Sequence, residues 1–202
     1  MGITERRERE REEVRSKIMD AARSLFMTEG YERVTMRRIG DAIEYSPTTI
    51  YHHFEDKDDL LNCLCHEDFS RLLQVFEKQP PPDDPVEWIR QLGLGYAAFG
   101  RENPNHYRFM FMTPNKFDEG HEVSMPGREA YGLLHAAVEK ALEAGRFRPA
   151  DPETMAQVLW ASIHGAVSLL ITVPPDKFPG GPAALDLVER TIDNSIRGFL
   201  AD

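Results

Sequence analysis

A single dipeptide, Ser46-Pro47, fixes more of this chain's local structure than any other. Serine caps a helix start with its hydroxyl, and proline is best tolerated at the first helical position, where a missing N–H costs nothing. A helix must therefore begin at residue 47. Just before it, Thr35 is placed to cap a short helix whose inner face is Met36, Ile39 and Ile43. Two short helices joined this tightly make a helix-turn-helix. Ile50 and Phe54 fall four apart, so they turn inward together and pin the later helix to its neighbours. Upstream, Val14, Ile18, Ala21, Ala22, Leu25 and Phe26 recur at helical spacing and predict a first helix that ends near Gly30.

The rest of the chain also reads as helix, because no sustained period-2 alternation occurs. Asp56 caps a long fourth helix with Leu60, Leu61, Leu64, Leu72, Leu73 and Phe76 as apolar positions. The run Gln79 to Pro85 stops it as a stiff turn. Helices are then expected over Val86 to Arg101, Asn105 to Met112, Gly127 to Ala144, Pro152 to Thr172 and Ala183 to Leu200. A loop over Thr113 to Pro126 and a Pro/Gly-rich turn from Pro174 to Pro182 separate the later ones. The fold class is all-α: a three-helix head over residues 1–55, then a larger helical body over 56–202.

Within the head, helix geometry leaves Thr48, Thr49, Tyr51, His52 and His53 on the outer surface of the third helix. A helix-turn-helix reads DNA bases mainly with the N-terminal part of this helix. Thr48 and Thr49 can touch base edges or a thymine methyl, while Tyr51 and His52 can reach bases or phosphates. Helix starts at Thr35, Ser46 and the Asp56–Lys57 corner offer backbone N–H groups to phosphate, and Arg37 and Arg38 add cations.

The string Ser46, Ile50, Tyr51, His53, Phe54 and Lys57 resembles the recognition segment of TetR-type transcriptional regulators, and the likeness runs from Phe26 through Leu61. Lys57 matches a family lysine that resembles a phosphate contact. The chain departs from the pattern at Glu44-Tyr45, where the family commonly has Gly-Val and glycine takes a left-handed turn. That puts the turn geometry in question, and a carboxylate beside phosphates is unhelpful. The resemblance also implies nine helices, a repressor, and a homodimer through the last two helices. Two recognition helices related by a two-fold axis would read a palindromic operator in double-stranded DNA.

The resemblance weakens after about residue 75. Trp160-Ala-Ser-Ile-His164-Gly165 looks like the Trp-x-x-x-His-Gly signature of one branch of TetR-type C-terminal domains. Small residues at Ala156, Ala161, Ser162, Gly165 and Ala166 permit close helix approach, and Leu185, Val188, Ile192, Ser195, Ile196 and Phe199 form a stripe on the last helix. Aromatic and polar side chains in the body suit a site for a small, largely apolar effector: Phe69, Leu73, Phe76, Tyr96, Phe99, Tyr107, Phe111, His135, Trp160 and His164. The competing reading for each is ordinary core.

Composition restricts the remaining options. The net charge of −10 is uneven: residues 1–55 carry 10 Lys/Arg and 11 Asp/Glu, and residues 56–202 carry 14 and 23. A near-neutral head on an acidic body argues against a nonspecific architectural DNA protein, which would be basic throughout. The charged residues 1–15 lack the apolar stretch of a signal peptide, and no apolar run approaches the ~20 residues of a membrane span, so a cytoplasmic protein without membrane contact is expected. Residues 1–13, with Arg6, Arg7, Arg9 and Arg11 among glutamates, read as a solvated helix extension laced with ion pairs or as an arm touching DNA. No enzymatic activity, cofactor or metal is expected. The glycines from Gly93 to Gly100 follow no strand and lack a phosphate-loop Lys-Ser/Thr, so they mark close helix packing. Two alternatives remain: a sensor of metal or thiol oxidation at Cys63, Cys65 and His66, and a degenerate family member whose pocket serves another binding role.

Overall fold

The computed structural model describes residues 3–78, 80–112, 125–174, 176–178 and 186–201. These form nine α-helices: α1 (Ile3–Glu29), α2 (Met36–Ala42), α3 (Pro47–Tyr51), α4 (Lys57–Glu77), α5 (Pro85–Glu102), α6 (Pro104–Met112), α7 (Met125–Glu143), α8 (Pro152–Thr172) and α9 (Leu187–Arg197). The expected loop over Thr113 to Pro126 falls, up to residue 124, outside the described residues. So do most of the Pro174–Pro182 turn and the expected start of the last helix, including Leu185.

The chain separates into two compact units: Met1–Asp68 with Asn105–Ser124, and Phe69–Pro104 with Met125–Asp202. Helix α4 therefore contributes to both. The first unit packs α1 to α3, the start of α4, and α6. Its core joins Ile18, Phe26, Ile39, Ile50, Phe54, Leu60 and Leu64, with Phe109 of α6 stacked 6.3 Å from Phe26. Gly30, at φ 83°, ends α1, and its N–H donates to the Phe26 carbonyl.

A buried polar cluster around one ion pair ties the first unit together. The guanidinium of Arg23 (α1) donates to both oxygens of Asp68 (α4) at 3.1 and 2.8 Å, and His106 Nδ1 (α6) lies 2.7 Å from the same carboxylate. Asp68 is wholly buried and Arg23 nearly so; Arg23 also donates to the exposed Asp20 at 2.8 Å, whereas the buried Asp68 carboxylate relies on Arg23 to balance its charge.

In the second unit α5, α7, α8 and α9 pack around Ile89, Leu92, Leu159, Ile163, Val188 and Ile192. Gly93 marks the closest crossing: a methyl there would sit 3.0 Å from Ile163 and 3.1 Å from Ile192. The glycine cluster in α5 is thus a packing device. Gly145, at φ 64°, ends α7, with Arg146 N–H returning to the Ala141 carbonyl at 2.8 Å. Helix α9 stops at Arg197, short of the expected Leu200. Residues after it turn back on the segment following α7: Arg148 N–H donates to Phe199 O and Ala201 N–H to Arg146 O, with Phe199 packed 6.0 Å from Phe147. Helix α8 is long and apolar enough to cross a membrane by length and composition alone, which the reading of the sequence had not anticipated. It packs against α5, α7 and α9 as a core helix.

Candidate DNA interface and effector site

Helix α3 is built by its cap. Ser46 Oγ accepts from Thr49 N–H at 3.2 Å and lies 3.0 Å from the Thr49 hydroxyl, with Pro47 at the first helical position. Ile50 is fully buried, and this turns Thr48, Tyr51 and His52 outward. Tyr51 is 55% exposed. Helix α3 ends at Tyr51, so His52, His53 and Phe54 follow on a turn, where Phe54 still packs into the core. His53 is half-buried, and its Nδ1 has no hydrogen-bond partner. Burial first, then the nearby Arg11 and Arg15 charges, push its pKa down.

The turn into α3 carries the strain expected at Glu44, whose φ is 61°. It is the only non-glycine residue with positive φ among those described. The turn folds over Gly40, whose carbonyl accepts from Ile43 and Tyr45 N–H; a Cβ on Gly40 would lie 2.7 Å from Tyr45 O. Thr35 caps α2 by accepting from Arg38 N–H at 3.1 Å. Arg37 extends into solvent, 3.9 Å from Asp41, while Arg38 is paired with Glu29 at 2.7 Å. Asp56 caps α4 by accepting from Asp59 N–H at 2.8 Å. The Lys57 ammonium donates to the Tyr31 carbonyl at 2.9 Å and sits 4.0 Å from the centre of that ring. Lys57 thus braces the start of α4 against the turn after α1 while remaining partly exposed.

The candidate effector residues are divided between the two units, most of them in the second. Tyr96, Trp160 and His164 meet: the Tyr96 hydroxyl lies 2.9 Å from His164 Nδ1 and accepts from Trp160 Nε1 at 3.4 Å. His164 Nε2 continues the chain to Ser168 Oγ at 3.3 Å. Burial pushes the His164 pKa down and favours neutral imidazole. The Tyr131 ring meets Trp160 edge-on at 6.2 Å, and its hydroxyl donates to Glu153 at 2.9 Å. His135 lies 3.5 Å from both Glu139 and Glu153. Phe76 packs against Gly95, one residue before Tyr96. Phe99 is buried, while Phe69 and Leu73 are half-buried on α4. Tyr107 and Phe111 belong to the first unit, where Tyr107 is fully buried with its ring 4.9 Å from Phe111.

Two family profiles cover this architecture: "Bacterial regulatory proteins, tetR family" over residues 18–64, and "Tetracyclin repressor-like, C-terminal domain" over residues 89–194. The transcriptional repressor AcnR of Corynebacterium efficiens is 40% identical over 187 residues, covering 88% of this chain and 92% of that protein. The chain belongs to the TetR family. The repressor Rv1474c of Mycobacterium tuberculosis is 42% identical over 65 residues, a match that spans only 35% of its length. Among solved structures, a tetR-family regulatory protein from Rhodococcus RHA1 superposes with a TM-score of 0.75 at 19% identity, over 93% of this chain and 98% of that one. SmeT, the repressor of the Stenotrophomonas maltophilia efflux pump SmeDEF, gives 0.68 at 23% identity, over 93% and 91%. At such identities these two carry the fold alone.

A TetR-family member is a DNA-binding transcriptional regulator and not an enzyme. The thiol alternative finds no support in the geometry. Cys65 is buried, its pKa pushed up to about 12 by burial and then by Asp68; burial and Asp59 also raise Cys63. Such thiols hold little reactive thiolate. No group of three or more metal-ligating side chains occurs among the described residues. The reading of the sequence missed Tyr31, which receives Lys57 and donates its hydroxyl to Asp58. It also missed Glu153 and Ser168, polar residues on the outward side of a predicted helix with nothing to distinguish them.

Proposed function

We propose that this TetR-family regulator is a cytoplasmic homodimeric repressor that occupies a palindromic operator and leaves it when a small, largely apolar effector binds the body. Residues 1–55 read DNA, and 56–202 bind the effector and dimerise. The observation that carries the reading is the pairing of buried Ile50 with outward Thr48, Tyr51 and His52 on a capped α3. Thr35, Arg37, Arg38, Ser46 and Lys57 flank it as phosphate contacts, with Arg37 the most accessible cation and Lys57 partly committed to Tyr31. Thr49, half-buried beside Ser46, contributes through the cap as well as through any base contact.

Dimerisation is supported by the outer face of α8. Val158 and Leu169 are 45% and 49% exposed, and a Cβ at Gly165 would meet nothing within 4 Å. An apolar stripe with a bare backbone between its ends suits a partner helix. The effector is expected near Tyr96, Trp160 and His164, where neutral hydrogen-bonding groups lie among rings. An effector releases DNA only by preferring the state that cannot bind it.

Fluorescence anisotropy on the DNA flanking the gene, with scrambled duplex as competitor, tests this reading. Competitor-resistant binding that Tyr51→Ala weakens at least tenfold is expected. Binding that scrambled DNA abolishes would refute sequence-specific reading of that DNA.

A further inference from the structure

Helix α1 begins at Ile3, yet residues 4–13 are all exposed and core packing starts at Val14. The helix therefore overhangs its own unit by almost three turns. Its packed stripe, Val14, Ile18, Ala22 and Leu25, extends backward in register through Arg11 and Arg7. The face that is apolar over the core thus becomes cationic where it overhangs. The neighbouring Arg6 points elsewhere and pairs with Glu10 at 2.7 Å, whereas Arg7 and Arg11 make no ion pair among the described residues.

Arg15, on the same face, fixes where the overhang lies. Its guanidinium sits 5.2 Å from the Phe54 ring and bonds Met19 Sδ. Arg11, one turn earlier, is close enough for its charge to act on His53, with Glu12 opposing it. The overhang thus runs beside the residues that follow the reading helix.

We propose that Arg7 and Arg11 form a second contact to the phosphate backbone of duplex DNA, next to the stretch read by α3. Two guanidiniums one turn apart, with no ion pair among the described residues and on the side of the head that carries α3, offer bidentate donors suited to phosphate oxygens. The proposal rests on the DNA-binding assignment.

The test is a salt titration of binding by the full-length R7Q/R11Q variant, on the flanking DNA and on scrambled duplex, with R6Q as control. Because both positions are exposed, the thermal melt should match wild type. The slope of log K against log salt should fall by about 0.9 for each lost phosphate contact. Both duplexes should weaken in parallel, with their ratio preserved. An unchanged slope in the double variant, while wild type binds, overturns the second contact alone. An equal drop in R6Q reduces the effect to bulk charge and also overturns it. Wild-type protein that binds neither duplex overturns the DNA-binding assignment with it.

Discussion

Glu44→Gly should stabilise this protein, although it removes a side chain and adds backbone freedom. Glu44 holds φ at 61° in the turn between α2 and α3. A left-handed conformation costs an L-residue roughly 1–2 kcal/mol, and glycine escapes that cost but loses about 0.5–1 kcal/mol in extra unfolded-state freedom. The net gain is about 0.5–1 kcal/mol, a rise in Tm of roughly 1–4 °C for a chain of this size. Glu44→Asn should recover part of it, since asparagine tolerates this region, and Glu44→Ala should recover none. Charge is a separate contribution. Removing a carboxylate near DNA phosphate is worth on the order of 0.5 kcal/mol, a twofold change in Kd. Glu44→Gln should therefore tighten DNA binding without a change in stability, and Glu44→Gly should do both. Urea denaturation and anisotropy at matched salt separate the two effects. A glycine variant no more stable than the alanine variant would refute the strain argument.

Asp68→Ala should destabilise by about 3 kcal/mol in urea denaturation, because it strips the nearly buried Arg23 of its buried partner and leaves it only the exposed Asp20; Arg23→Met with Asp68→Leu should recover most of the loss. Stability should also fall as pH drops below about 6.5, the reference value for free histidine. The folded state holds His53 and His164 below that value, so the unfolded chain binds more protons through the window beneath it, and stability returns as pH rises. His164→Gln should flatten part of this profile, and an unchanged profile would remove His164 from the account. Leu169→Glu should shift sedimentation from dimer to monomer while leaving the circular dichroism spectrum unchanged; a retained dimer would move the interface away from α8.

The elements that local chemistry controls were legible in the chain. Thr35, Ser46 with Pro47, Asp56, Gly30 and Gly145 each start or stop a helix where their chemistry predicts. Arrangements that join distant residues were not. Arg23 and Asp68 lie 45 positions apart, and charged residues in a sequence read as solvent-facing until a fold pairs them. The resemblance makes Lys57 a phosphate contact, and nothing local points it to the Tyr31 carbonyl, 26 residues earlier. Aromatic spacing alone does not separate Tyr107, buried in the first unit, from Tyr96, which meets His164 in the second. Period alone could not show that α9 yields at Arg197 to a return of the chain onto Phe147.

The central claim is that two copies of α3 read one palindrome. The most direct measurement is sedimentation of the protein on its bound duplex, intact and with one half-site scrambled. Two subunits on the intact site and a collapse in affinity on the half-scrambled one are predicted. Equal affinity for both duplexes, or one subunit on the intact site, would contradict the account.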